Sequence, residues 1–412
     1  MKVAVIGAGA AGMMCAATIN ELNPDIEVVL IEKNDTLGKK VLISGGGRCN
    51  VTTGIEDPKT VLENYPRGSK FLISAIHNFS PLAVRGWFES HGVPLKCEKD
   101  LRVFPVSNNS QDVVDVFKKI FVKNNTKILF KHTADSIEKT ATGFIINFDN
   151  KTSLLVDKIV LALGGQAYRK TGSNGDGYSL AESLGHTITQ LAPSLHSFIT
   201  AEKWPGTLAG MSFAKATITA DCAKPNSRTG SFLFTHSGIS GPAVFALSAL
   251  VAFTFVGQKK PLKIFIDFLP DNTVEEVKKT LQTIAMANPK KIFKNTLHHF
   301  LPLNLCEALC EYSKLFGNKR NAEVSKTDIS LAATLLKKVP LVAIGRGSAD
   351  EFVTAGGVEL KEIDPKTMES KICLGLYFAG EIMDIDGFTG GFNLQAAWAT
   401  GHAVGEKIVH SY

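Results

Sequence analysis

Six residues near the amino terminus, Gly7-Ala8-Gly9-Ala10-Ala11-Gly12, have the types and spacing that let a backbone close on phosphate. Gly7 permits a tight turn, Gly9 lets a pyrophosphate approach the main chain, and Gly12 lets a helix pack close to a strand, with Ala10 and Ala11 lining the same turn. Glu32, twenty residues after Gly12, can accept hydrogen bonds from a ribose diol. A second run, Ser44-Gly45-Gly46-Gly47-Arg48-Cys49-Asn50, sets three consecutive glycines before a cation and a thiol. Such glycines are costly to order; their physical use is close approach to a ligand, with Arg48 to hold negative charge. Among titratable groups, Cys49 could protonate a substrate carbon or simply pack. His236, flanked by Thr235 and Ser237, is of the type that donates a proton near neutral pH. Arg48, Arg102 and Tyr168 are weaker candidates for holding substrate.

Regular elements must position these groups. Lys2 to Ile6 is a short β-favouring apolar run, long enough for one buried parallel strand, and Met13 to Ile19 reads as helix. The helix start offers free N–H groups and a positive dipole end to phosphate. After a turn at Asn23-Pro24-Asp25, a second strand from Glu27 ends on Glu32. The turn-rich loop Lys33 to Lys40 follows, with Lys33 and Lys40 as candidate cofactor contacts. Pro81 to His91 and Gln111 to Val122 have helical periodicity, and Leu101 to Pro105 reads as an exposed turn lining a substrate cleft. Lys127 to Lys131, a run from Ala134 to Glu138, Thr142 to Asp149 and Ser153 to Asp157 are strands. Lys158 to Gly165 is a buried strand ending in paired glycines. From Leu195 to Phe268 short β runs alternate with turn residues, which predicts a small sheet or barrel. Thr273 to Lys338 is helical, with turns at Asn288-Pro289 and Gly317-Asn318; Val353 to Glu359 and Leu374 to Glu381 return to strand, and Gln395 to Val409 is a helix of small residues.

The chain therefore starts and ends in dinucleotide-domain character, an α/β class with modules nested between. The boundaries read as 1–193 and 356–412 for the nucleotide domain, 194–270 for a β insert completed by about 339–355, and 271–338 for a helical insert. At 412 residues, more than one core is expected. With 44% hydrophobic and 20% charged residues, the composition is that of an ordinary globular protein. Seven cysteines without paired CxxC spacing argue against a disulfide framework or a zinc ribbon and fit reduced thiols in a cytoplasm. The uncharged run Ile239 to Val256 approaches membrane-spanning length. Ser240-Gly241-Pro242 instead marks the start of a short buried helix to Leu250, followed by a strand, Val251 to Val256. The net charge of +6 is matched by one segment, Gln258 to Lys338, with fourteen Lys/Arg against eight Asp/Glu, a surface that could meet an anion such as RNA.

Taken together, Gly7–Gly12 with Glu32, Ser44 to Asn50, Phe234 to Pro242, and Gly380-Glu381 with Gly390-Gly391-Phe392-Asn393 resemble the YhiN/BaiN-like (BaiN/RdsA) family of FAD-dependent oxidoreductases over essentially the whole chain. The resemblance implies a glutathione-reductase-type, Rossmann-like FAD domain interrupted by a barrel-like β domain and a small helical domain. It also implies FAD at the first site, with Gly7, Gly9, Ala11 and Gly12 on the pyrophosphate and Glu32 on the adenosine ribose. It puts the Ala134 backbone at the adenine edge, and Gly164 and Gly165 near the adenosine side. Gly380 and Glu381 match the second FAD fingerprint, Glu381 standing where many flavoproteins have Asp. Gly390 to Leu394 open the last helix towards the flavin C2 carbonyl, where a dipole stabilises reduced flavin. The loop carrying Cys49 falls near the isoalloxazine.

Three activities follow. The first is reduction of a conjugated C=C bond, the resemblance extending to reductases of steroid-type enones and of uracil in ribosomal RNA. The second is RNA-directed reduction in particular, with Lys290, Lys291 and Lys294 interleaved with Phe293 and Phe300 as an anchor. The third is an oxygen-using amine oxidase, and a non-catalytic FAD-binding scaffold stands outside the class. Gly345 to Asp350 has only two glycines and no strand–acid sequel, so NAD(P)H would act as a transient reductant over the flavin rather than in its own domain. No metal site, no membrane partner and no oligomeric state is indicated.

Overall fold

A computed structural model describes residues 1–222, 226–315, 319–347 and 352–411. The turn expected at Gly317-Asn318 and the stretch Ser348 to Asp350 lie outside these. The chain divides into two compact units, Met1–Ser194 with Asp350–Tyr412, and Leu195–Ala349.

The first unit is built on a five-stranded parallel sheet in the order Leu376–Phe378, Lys158–Leu161, Lys2–Ile6, Glu27–Glu32, Lys127–Phe130. The four strands from Leu376–Phe378 to Glu27–Glu32 are apolar runs largely buried on both faces, as parallel sheets require, while the edge strand Lys127–Phe130 is part exposed. The edge strand at Leu376–Phe378 comes from the far end of the chain, so both termini complete one sheet. Helices Ala10–Leu22 and Phe392–His410 pack side by side. Their approach is close because the last helix presents glycine: a Cβ on Gly401 would lie 2.3 Å from the Ala11 carbonyl oxygen, and one on Gly405 would lie 2.6 Å from Thr18 Cβ. A separate antiparallel sheet holds Ala134–Lys139, Phe144–Phe148 and Ser153–Val156.

Two local expectations are corrected here. Leu101 to Pro105 is not an exposed turn: Arg102–Pro105 is a strand between Thr52–Thr53 and Leu95–Cys97, with Val103 and Phe104 buried. The strand expected from Val353 to Glu359 stops at Ala355, because Gly356 turns to φ +89° against the Gln190 carbonyl.

The second unit contains a closed six-stranded barrel. Its order is Phe198–Thr200, Gly238–Ser240, Asn226–Thr235, Ser212–Ala220, Leu262–Asp267 and Val339–Arg346, which pairs back to the first. Helices Val274–Ala287, Phe293–Leu297, Leu303–Ser313 and Lys326–Lys337 share one hydrophobic core with it, among them Phe234, Ile266, Leu281 and Leu305. Capping boxes at Thr273/Glu276 and Ser325/Asp328 fix two of the helix starts. The helix Pro242–Leu250 is as expected, but Val251 to Val256 is not a strand. The Arg346 guanidinium takes the carbonyls of Val251, Ala252 and Thr254 at 2.8, 3.0 and 3.1 Å, removing acceptors that a neighbouring strand would need.

Candidate functional site

The amino-terminal glycine turn sorts its glycines by task. Gly7 has φ +102°, and a Cβ there would lie 2.5 Å from the Ala162 oxygen; a Cβ on Gly12 would lie 1.9 Å from the Gly7 oxygen. Packing demands both. Gly9, at φ −79°, is different: a Cβ would meet nothing within 4 Å. Its open side is where a pyrophosphate would run. The helix Ala10–Leu22 starts on Gly9 with no side-chain cap and no acid in its first turn, whereas Ser80, Asn109 and Thr273 cap other helices. Its N–H groups and dipole are thus left to an outside anion.

Glu32 is buried and first of all architectural. Its Oε2 accepts from the Ala8 N–H at 3.0 Å, and its Oε1 accepts from the Asn34 N–H and side-chain amide at 2.8 and 2.7 Å. One lone pair on Oε2 is left for a ribose hydroxyl. Beside it an open cavity of about 450 Å³ is lined by Lys33, Thr133, Ala134, Asp135, Asn174, Asp176, Ser179 and Leu180. Lys33 spans its wall, bound to Asp176 at 2.6 Å and Asn174 at 2.7 Å. Ala134, the residue expected at an adenine edge, is among the cavity's lining residues. Asn174, Asp176 and Ser179 were not foreseen; the only sequence signal for them is the glycine-punctuated stretch Gly172 to Gly177.

The carboxy-terminal fingerprint reaches the same unit. Lys40 pairs with Glu381 Oε2 at 2.6 Å, and the Thr354 N–H donates to Oε1 at 2.9 Å. Gly165 abuts the Thr354 side chain, while Gly164 turns at φ +72° beside Ser173. Gly380, at φ +76°, donates its N–H to Thr400 Oγ1 at 2.9 Å. Gly390 and Gly391 have φ of +130° and +94°. A Cβ on Gly391 would lie 2.4 Å from the Thr52 carbonyl, and the last helix begins after it with no side-chain cap. Asn393 closes the approach by a two-way amide pair with Gly387, both bonds at 2.8 Å, ahead of half-buried Leu394. Tyr65 donates its hydroxyl to the Phe392 carbonyl at 2.7 Å.

The triple glycine is left-handed throughout, with φ of +56°, +70° and +83° at Gly45, Gly46 and Gly47. All three are exposed, and a Cβ on Gly46 or Gly47 would meet nothing within 4 Å. Ser44 Oγ donates to the Val41 carbonyl, and Asn50 Oδ1 accepts from the Val103 N–H. Open glycines beside uncapped helix starts fit a flat, anionic dinucleotide.

Several candidates move. Cys49 is fully buried, its N–H bound to the Ser44 carbonyl at 3.0 Å and its thiol pushed up to about 12 by burial. A sealed, protonated thiol does not act as an acid on substrate, which corrects that role and leaves the packing reading. Arg48 is not waiting for an anion: it bonds Glu98 at 2.8 Å and lies over the Phe104 ring at 3.8 Å. Arg102 is likewise held by Asp100 and Glu98. Tyr168, at φ +58°, packs its ring near Phe352. His236 is exposed on the turn joining two barrel strands of the second unit. The basic–aromatic platform of the helical insert is also corrected. Phe293 is a core residue, Phe300 packs against that core, and Lys294 is tied to Glu307 at 2.8 Å; Lys290 and Lys291 are exposed.

A buried polar knot escaped the sequence reading. Asp386, 1% exposed, is bound by the Arg67 guanidinium and by the Ser194 hydroxyl at 2.7 Å. Burial pushes the carboxyls of Asp384 and Asp386 up. The knot braces the chain just ahead of Gly387. Two acids one residue apart in an apolar stretch were the available signal. Among the described residues no cluster of His, Cys, Asp or Glu is arranged to hold a metal, and no helix is long and apolar enough to cross a membrane.

The chain matches the model of the HI0933-like protein Rossmann domain over residues 1–407. It is 30% identical over 414 residues to the 3-dehydro-bile acid delta(4,6)-reductase of Clostridium scindens, covering 98% of each chain. It is 31% identical over 411 residues to the ribosomal RNA dihydrouridine synthase of Haemophilus influenzae, covering 98% of this chain and 97% of the relative. Among solved structures, the 3-ketosteroid-delta4-(5alpha)-dehydrogenase from Rhodococcus jostii shares the fold, with a TM-score of 0.55, 14% identity and coverage of 99% and 96%. Glycine turns, uncapped helix starts and full-length likeness converge: this chain belongs to the HI0933-like Rossmann family of FAD-dependent oxidoreductases.

Proposed function

We propose that the protein reduces a conjugated C=C bond, with uracil in ribosomal RNA as substrate and dihydrouridine as product. The observation that carries the reading is that two full-length relatives, one named for a bile-acid reductase and one for a dihydrouridine synthase, bear names that share this chemistry. FAD, once reduced by NAD(P)H, would supply a hydride for the β carbon of the conjugated bond and return to its oxidised form. The chain's own work is to hold and orient. Gly9 and the start of the Ala10–Leu22 helix receive the pyrophosphate, Glu32 and the Ala134 cavity the adenosine, and Gly390 to Leu394 the flavin end. NAD(P)H is the proposed electron donor, acting without a domain of its own.

The proton that completes the reduction at the α carbon is assigned to His236, an imidazole on an exposed turn. His236→Gln should lower turnover by about 10²-fold while leaving flavin content unchanged. Equal turnover in the two proteins removes that role. The substrate class is tested by mass spectrometry of RNA nucleosides from cells with and without the gene. Loss of dihydrouridine from ribosomal RNA supports the reading, and an unchanged profile overturns it. A second reading, reduction of a small enone, is favoured by the bile-acid relative. Anaerobic reoxidation of the reduced flavin by a steroid enone, with no nucleoside change, would select it.

A further inference from the structure

We propose that the outer face of the barrel around Leu262–Asp267, together with the loop leading into it, docks single-stranded RNA. The inference rests on the RNA reading above and moves the contact surface away from the helical insert. Along this strand Leu262, Ile264 and Ile266 point into the core, so Lys263 and Phe265 point outward. Lys338 lies over the Phe265 ring at 4.4 Å. The neighbouring strands add hydroxyls to the same face, Thr217 paired with Thr229 and Thr219 with Ser227. The loop before the strand carries Lys259 at the tip of a tight turn and Lys260 at its close, where Gly257 and Lys260 exchange backbone bonds. In the same loop Phe255 is 65% exposed and Phe253 44% exposed.

Three features make this a nucleic-acid surface. Lys259, Lys260, Lys263 and Lys338 are exposed, and among the described residues none has a carboxylate within ion-pair distance. In the helical part Lys294, Lys319 and Lys337 are engaged by Glu307, Asp328 and Asp267, and the rings that the sequence sets near exposed Lys290 and Lys291 are core Phe293 and half-buried Phe300. No acid lies between Val251 and Lys263; of the nearest acids, Asp267 on the same strand is paired with Lys337, and Asp221 adjoins the Lys263 backbone. Finally, the exposed phenyl rings sit on a loop whose base is fixed by Arg346 through three backbone carbonyls, giving a preorganised platform on which bases stack. Unpaired lysines for phosphates beside aromatic faces for bases is the arrangement that single strands require.

The test uses the full-length flavin-loaded protein and fluorescence anisotropy with a labelled uridine-rich single strand of about twenty nucleotides across a salt series. Lys259→Gln with Lys260→Gln should flatten the salt slope by roughly 1.4, about 0.7 for each phosphate no longer neutralised. Phe255→Ala should weaken binding about tenfold, and Lys290→Gln with Lys291→Gln should bind as wild type. Flavin absorbance and the melting temperature, unchanged in each variant, show that folding is not at issue. If wild type binds and the barrel variants bind equally well, this inference falls while the RNA reading stands. Absence of any salt-sensitive RNA binding by wild type overturns both. Capture instead by vesicles of phosphatidylglycerol and phosphatidylcholine, abolished by Phe255→Ala, makes the face a lipid surface and also overturns the proposal.

Discussion

A single methyl group separates two kinds of glycine in the phosphate turn. Gly9 faces open space at a φ that any residue adopts, so Gly9→Val should fold normally yet fail to retain flavin. Gly12→Ala should do the reverse, because its Cβ would sit 1.9 Å from the Gly7 oxygen. A loss of about 1–3 kcal/mol of stability is expected there. Chemical denaturation and the flavin absorbance of the purified variants check the pair; equal behaviour of the two would refute the assignment. The sequence showed the spacing of these residues but could not show which glycine is packed and which is open. For Cys49 the error has a physical cause: residue type reveals a thiol, whereas its reactivity is set by solvent contact, which only the fold decides.

At the level of elements, the first and last helices form one structural couple. Gly401 and Gly405 allow the contact, and the Ala11 carbonyl that Gly401 touches belongs to the first turn of the phosphate-facing helix. Gly401→Ala should therefore lower the melting temperature and the flavin affinity together, measured by thermal melts and by titration of apoprotein with FAD. Retained affinity in a destabilised variant would uncouple the two. Periodicity and turn residues located many of these elements: the helix Pro242–Leu250 and the strand Glu27–Glu32 stand where expected, while the strand read as Lys158 to Gly165 ends at Leu161. Where pattern failed, a side chain from elsewhere had intervened. Arg346, far along the sequence, claims the carbonyls of Val251 to Thr254, and no local rule announces that.

Across the whole molecule, two histidines, buried His186 and half-buried His402, set an acid limit. Burial lowers the affinity of His186 for a proton although Glu362 stands 3.1 Å away, and burial does the same for His402, stacked on Phe79 beside Glu406. Both fold as neutral rings. Their contribution is full above the ordinary imidazole value of about 6.5 and drains away as the pH falls below it. Melting temperatures should decline from pH 7 towards pH 5, and His186→Gln should make that decline shallower; a pH-independent melt would contradict it. The nested plan was legible because both ends of the chain carry the same kind of motif. A barrel completed by a late segment was also legible, but the register that closes it, Phe198 with Arg346, and its union with the helices in one core were not, since they depend on pairings distant in sequence.

The parallel sheet has a further consequence, one for biosynthesis. Its strand Lys158–Leu161 takes its outer neighbour from Leu376–Phe378, which a ribosome makes only after the entire barrel and its helices. Through that interval the nascent sheet carries a bare hydrogen-bonding margin, the kind of edge that recruits stray strands. Vectorial synthesis thus obliges the inserted unit to be made first, and the nucleotide-binding sheet gains its outer strand only after that unit.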